Sequence, residues 1–442
     1  MHYLRNQPNS MQITLKALLT GALILIMMIP ALLVSNLVSE RQERQQEVVR
    51  EISGNWAKEQ TLAAPYLVIP YNWKNEKATR SELRYYLLMP EEIHLDGSIQ
   101  PYQKKRSIFT VNLYQADMEA AGFFNLERIK PLSNEQILWD QVMVCYGISD
   151  MKGLEGLPKI DINNQQLVME QGLPSLNVLT RGSAASVSLA SVNDRKRIPF
   201  KFTIAFKGTQ EISFLPVGRT STVNIASSWK QPSFFGAPLP EHTQANGFTA
   251  EWKTNSINNG IPQVWDNATY KVQDMAFGVQ LFDSNNHYTK VDRSIKYAIL
   301  LIGLTFGFFF IFELLIGKRV HPVQYVLVGV ALIVFYTLLL SLSEYTGFSK
   351  AYLVAGAATV LLITLYCRNM FRSWSNALIV TFLLILLYSF VYFIIQLEDL
   401  NLLVGSVGLF ILVAVAMFIT RKIDWYGGKA GTGGKPGIIP GA

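Results

Sequence analysis

Long apolar runs constrain this chain more than any other feature. A hydrocarbon core of about 30 Å needs roughly 20 apolar helical residues to cross it, and six segments meet that need: residues 17–38, 297–316, 323–342, 351–367, 374–396 and 401–420. Five crowd into the C-terminal third with short connections, whereas residues 39–295 separate the first from the second. Half of the residues are hydrophobic and 16% are charged, more apolar than a soluble protein of this size. The formal charge of +7 does not point to nucleic acid, because no dense Lys/Arg block interleaves with aromatics.

The charge instead reads as topology, since Lys and Arg near span ends stay in the cytoplasm. Lys318 and Arg319, Arg368 and Arg372, and Arg421 and Lys422 mark three loops on one side. The alternate loops, "SEYTGFSK" at 343–350 and "LEDLN" at 397–401, carry Glu344, Glu398 and Asp399 against Lys350 alone. Arg5 and Lys16 precede the first run, which lacks a small-x-small cleavage site and reads as an uncleaved signal anchor with Pro30 as a potential kink. Six crossings then leave both termini in the cytoplasm and the long segment outside. The break "GKRVHP" becomes a cytoplasmic turn: Gly317 ends one helix, Lys318 and Arg319 anchor it, and Pro322 opens the next.

The outside segment opens with charge-dense residues 39–60, expected to continue the first helix into water. Beyond it the pattern turns to period two. "FKFTIAFKGTQEISFLPVG" from 200 alternates Phe202, Ile204 and Phe206 with polar neighbours, then resumes after Gly208, predicting a hairpin. Further strands are expected in "YLVIPY", "RYYLLMP", "SIFTVNLYQ", "QLVMEQG", "AASVSLASV", "STVNIAS" and "MAFGVQLF", with short helices around 116–130 and 133–138. The fold class is therefore an α-helical membrane protein of six transmembrane helices with a large β-rich domain between the first two. Its parts are residues 1–38, 39–295, 296–426 and a flexible Gly-rich tail, 427–442.

Motifs for hydrolases, zincins, P-loops and dinucleotides are absent from the sequence. His2, His94, His242, His287 and His321 share no metal-ligand spacing, and Cys145 and Cys367 fall in unlike segments, so free thiols and no cofactor are expected. An ionisable group within hydrocarbon is costly unless paired or near an interface. Glu313 is the main case; it is expected to pair with Lys318, Arg319, Arg368 or Arg372, the alternative being a proton or substrate site. Glu344 is expected in the headgroup layer and His321 as a polar anchor. Tyr325, Tyr336, Tyr345, Trp374, Trp425 and Tyr426 lie near span ends, as in an aromatic belt.

Several segments carry a resemblance: "DRSIKYAILLIGLTFGFFFIFELL" from 292, "HPVQYVLVGVALIVFYTLLLSLSEYTGF" from 321, "RKIDWY" from 421, "SSWKQPSFFGAPLP" from 227, "GFTAEWKTN" from 247 and "APYLVIPY" from 64. Together they resemble the CreD family of bacterial inner-membrane proteins, from the first span to Tyr426. The resemblance implies a Gram-negative inner membrane, a periplasmic domain, a role in envelope integrity and production under a two-component stress system, with no enzyme activity. The expected function is a non-enzymatic platform that binds an envelope protein, lipid or wall component. The alternative is a transporter or lipid-handling protein working through the helical bundle; a membrane-embedded hydrolase is the weakest reading, resting only on His321 beside Glu313.

Overall fold

The computed structural model describes residues 10–421 except 75–80, 132–134, 175–177, 193–195, 245, 267–271, 282–286, 317–319 and 398–400. The chain forms two units, one from residues up to 44 together with those from 285 onward, the other from residues 45–284.

The first unit is helical. Its opening helix α1 (Ser10–Asn55) runs unbroken through Pro30 and past the apolar run into the charged segment, as the scarcity of breakers before Gly54 predicts. A single turn, α2 (Ser256–Asn259), belongs to the other unit. Then follow α3 (His287–Lys296), α4 (Ala298–Ile316), α5 (Pro322–Thr346), α6 (Phe348–Phe371), α7 (Trp374–Gln396) and α8 (Asn401–Thr420). Among the described residues, five helical stretches are long and apolar enough to cross a membrane: Thr14–Asn55, His287–Leu314, Pro322–Thr346, Phe348–Phe371 and Trp374–Gln396.

With no hydrophobic drive between helices in lipid, close packing and buried hydrogen bonds must hold such a bundle. Gly329 of α5 provides the first: a Cβ there would lie 2.8 Å from the Met27 sulfur of α1 and 2.9 Å from Phe306 of α4. Between α6 and α7, Tyr352 donates to the Tyr388 carbonyl at 2.9 Å and the Thr364 and Thr381 hydroxyls meet at 2.7 Å.

The second unit is a stack of two sheets. One runs Ser233–Phe235, Phe277–Gln280, Glu211–Leu215, Gln60–Lys74, Val142–Ile148, Gly182–Val187, Glu170–Gln171, with Ser81–Leu88, Val264–Asp266 and Glu135–Ile137 attached. Its central strand, Gln60–Lys74, is buried along nearly its whole length. The other runs Glu241–Gln244, Phe248–Asn255, Thr220–Ser227, Glu92–Arg106, Phe109–Phe124, Ile198–Thr209, Lys159–Ile162, Gln165–Val168. Aromatic contacts join the two across one core, with ring centroids 5.0 Å apart for Tyr146 and Phe202 and 6.3 Å for Phe214 and Trp252.

The expected hairpin after Gly208 is not formed. Ile198–Thr209 lies in one sheet and Glu211–Leu215 in the other, and Gln210 between them takes φ 62°, turning the chain across the stack instead of back on itself. Its N–H donates to the Asn112 carbonyl and its carbonyl accepts from Leu281, so the corner is fully bonded. The chain also changes sheets at Met169, between Gln165–Val168 and Glu170–Gln171, and through 236–240, between Ser233–Phe235 and Glu241–Gln244. The ends of the two main strand orders are therefore joined by continuous pieces of chain, which limits exposed strand edges there.

The expected helices at 116–130 and 133–138 are also corrected. Phe109–Phe124 is one long strand, a single 3-10 turn covers Leu126–Arg128, and Glu135–Ile137 is a short strand. Ala116, Met118 and Ala120 are buried while Asp117 and Glu119 are exposed, so the side chains alternate despite their helical propensity. Tertiary pairing overrides that propensity through fifteen register pairs with Glu92–Arg106, a strand the sequence reading missed.

Candidate functional site

Three polar constellations are built by these elements. The first lies in the helical unit. Lys16 of α1 forms an ion pair with Glu313 of α4, whose side chain is only 8% exposed. The Tyr325 hydroxyl of α5 reaches the other Glu313 oxygen at 3.5 Å. At the far end of the same helices, Glu344 accepts from the Tyr288 hydroxyl at 3.0 Å and stands 3.9 Å from the Arg41 guanidinium. Each cluster combines a base from α1, a glutamate and a tyrosine. Residues 16 and 41 are separated by about 37 Å of helix at 1.5 Å per residue, close to the thickness of a bilayer's hydrocarbon core plus its margins.

The sequence reading expected Glu313 to pair with Lys318, Arg319, Arg368 or Arg372; in the structure it meets Lys16. Lys318 and Arg319 lie outside the described residues, Arg368 instead stacks on the Trp374 ring at 4.1 Å, and Arg372 ends α6 in a left-handed conformation. Arg421 stacks on Phe418, and Lys422 lies outside the described residues. The missed signal was position: Lys16 immediately precedes the first apolar run and Glu313 lies about one turn from the end of the second, on the side to which the loop charges assign both. Glu344, expected in the headgroup layer, packs against Tyr288 and Arg41 with its side chain 8% exposed. His321 is the cap of α5: its ring nitrogen accepts from the Val323 N–H at 3.3 Å, and Gln324 closes the box from the His321 N–H at 2.9 Å. Nothing pairs His321 with Glu313. Tyr325 and Tyr336 are buried between helices rather than standing in a belt, whereas Tyr345 and Trp374 are exposed; Trp425, Tyr426 and the tail lie outside the described residues.

The second constellation fixes the end of α1 within the β-rich unit. Val48, Val49 and Ile52 pack on Val111 and Leu113, and Trp56 meets the Tyr102 ring edge-on while Lys207 lies over its face. Immediately beyond, the buried Gln60 amide is saturated: it donates to the carbonyls of Asp150 (3.0 Å) and Lys207 (2.9 Å) and accepts from the Ser149 hydroxyl and the Asp150 N–H, both at 3.1 Å. A fully satisfied buried network of this kind rigidifies its surroundings.

The third is a hollow on the outer face of the eight-stranded sheet. It has a volume of about 670 Å³ and is walled by Asp96, Asn224, Glu241, His242, Thr249 and Glu251. A second hollow of about 470 Å³ shares Ala226, Thr243 and Thr249 with it and continues past Ser98, Gln100 and Ser227. Together they make a trough of carboxylates, hydroxyls and amides floored by small residues. Asn224 donates to Asp96 at 2.9 Å and Lys253 pairs with Glu251 at 2.9 Å, leaving the wall acidic on balance. The trough can take up a hydrogen-bonding ligand. Among the described residues, no group of three or more His, Cys, Asp or Glu side chains is arranged to hold a metal.

Comparison with known proteins gives a consistent result. The family model described as Inner membrane protein CreD matches residues 12–426. A curated protein of that description from Escherichia coli (strain K12) is 30% identical over 414 residues, spanning 91% of this chain and 91% of its own length. Among solved structures, an M1 zinc metallopeptidase variant from Deinococcus radiodurans bound to a Tyr-Ser-Ala substrate aligns over 44% of this chain and 42% of its own, at 10% identity and a TM-score of 0.22. A score that low carries no argument about fold or activity.

Proposed function

Because the chain belongs to the CreD family of inner membrane proteins, we propose that it supports cell-envelope integrity as a non-enzymatic binding platform anchored by its helices. In this reading six helices cross the inner membrane, α8 being the sixth, and the β-rich unit stands in the periplasm. The alternation of basic and acidic connecting loops supports that orientation. The observation that carries the reading is the polar trough on the outer face of the eight-stranded sheet, large enough for a segment of an envelope protein, a lipid headgroup or a wall fragment.

Transport or lipid handling through the bundle would require polar groups free to meet cargo. Glu313 and Glu344 are both engaged, by Lys16 and Tyr325 and by Tyr288 and Arg41 respectively. That supports an anchoring role for the helices.

The experiment is photocrosslinking in native membranes from single positions of the full chain, with Asn224 and Thr249 in the trough and the 79% exposed Val168 on the opposite edge as control. A discrete adduct from the two trough positions and none from Val168 is expected. Adducts from Val168 alone would overturn the assignment of the trough.

A further inference from the structure

The two ion-pair clusters on α1 are built alike but held unequally. Thr20, Met27, Ala31, Val34 and Val38 form the buried stripe of α1, and Lys16 and Arg41 extend it at either end by steps of three or four residues. At the inner end, Lys16 and Glu313 are in direct contact with side chains 28% and 8% exposed, and Met27 is seated over Gly329. If Lys16 left, Glu313 would keep only the long 3.5 Å contact from Tyr325. At the outer end the base is held more loosely. Arg41 stands 3.9 Å from Glu344 and is 47% exposed, while Glu344 already holds the Tyr288 hydroxyl at 3.0 Å. Ser35 donates weakly to Asp292 at 3.3 Å, and Asp292 has its own partner in Lys296 at 2.8 Å. Among the described residues, Glu344 and Asp292 therefore each keep a bundle partner without α1.

Pro30 lies between the two ends, three residues after the last firm inner contact, Met27. It has no N–H, so the Ile26 carbonyl lacks its helical donor and the helix bends most easily there. Ala31, Val34 and Val38, the apolar side chains of the outer half, lose little on moving from a helix surface to lipid, since lipid tails are as apolar as their present neighbours.

We propose that the outer half of α1, from Pro30 to Arg41, is a hinged arm: the Lys16–Glu313 pair fixes its root, and the longer Arg41–Glu344 contact is a latch that opens while Glu344 keeps its bond from the Tyr288 hydroxyl. The same helix continues to Asn55, where the β-rich unit grips it through Val48, Val49 and Ile52. The latch thus lies in a helix whose residues are divided between the two units.

Disulfide formation in native membranes tests this. A pair of cysteines replacing Ser35 and Asp292 reports the arm, and a pair replacing Met27 and Gly329 reports the root; Cys145 and Cys367 are buried and do not compete. Arg41→Gln is expected to slow oxidation of the arm pair by about two- to fivefold, the change a half-exposed ion pair is worth, and to leave the root pair unchanged. Adding Pro30→Ala should return the arm pair towards its original rate. Equal slowing of both pairs, or no effect of Arg41→Gln on the arm pair, would overturn the proposal.

Discussion

Lys16 and Glu313, 297 positions apart in sequence, form an ion pair that fastens the first helix of this protein to the fourth. Breaking a buried pair from one side strands a charge and costs about 3–5 kcal/mol; with Lys16 a quarter exposed the cost falls to about 2 kcal/mol. Glu313→Gln should therefore lower the thermal unfolding midpoint in membranes or detergent, and the exchange Lys16→Glu with Glu313→Lys should recover most of the loss. A midpoint unchanged by Glu313→Gln would show that the pair contributes nothing to helix packing.

Gln60 makes four hydrogen bonds at the point where α1 enters the β-rich unit. Leucine fills a similar volume but removes the amide's bonds to the Lys207 carbonyl and the Asp150 N–H, while the Asp150 carbonyl keeps the Gly153 N–H, at about 2–4 kcal/mol in all. Gln60→Leu is expected to shift chemical unfolding by that amount, whereas a change at the exposed Gln166 should have little effect.

Glu91 supplies a pH dependence. Burial alone would raise its pKa, but bonds from Arg128 and Arg219 outweigh that and hold it below its ordinary value of 4.5. Because the folded value is depressed, the stabilisation is complete above that ordinary value and is lost as pH falls through the folded one. The unfolding midpoint should decline below about pH 4.5, and Glu91→Gln should flatten part of that decline. An identical acid profile in the variant would contradict the assignment.

Cys145 lies on the buried strand Val142–Ile148, where desolvation pushes its thiol up to about 12. Only the thiolate reacts appreciably. Alkylation at pH 8 should be undetectable in the folded protein and should appear with the unfolding transition; rapid labelling under native conditions would mean that the sheet opens locally.

Much of the helical unit was legible because a bilayer imposes a length and an apolarity that a single sequence displays directly. The apolar runs and their order match the helices closely, and the continuation of α1 through the charged segment follows from its lack of breakers. The β-rich unit was readable only as alternation. Where alternation was masked by good helix formers, as at Ala116 to Ala121, or diluted by polar residues, as in Glu92–Arg106, strands were missed. The corner at Gln210 was read as a hairpin because a turn signal does not say which sheet the next strand joins. Similarly, a lone Glu313 announces that it needs a cation, but the identity of Lys16 depends on which helices pack together.

The proposed function assigns binding to the trough beside Ala226 and anchoring to the helices fastened by the buried pair of Lys16 and Glu313. The most direct measurement is recovery of envelope integrity in a strain lacking this protein, comparing Ala226→Trp with the double change Lys16→Met and Glu313→Leu at matched abundance. The account predicts loss of recovery with Ala226→Trp, which fills the trough, and retention with the apolar pair. Recovery by Ala226→Trp together with failure of the apolar pair would place the activity in the helices and contradict it.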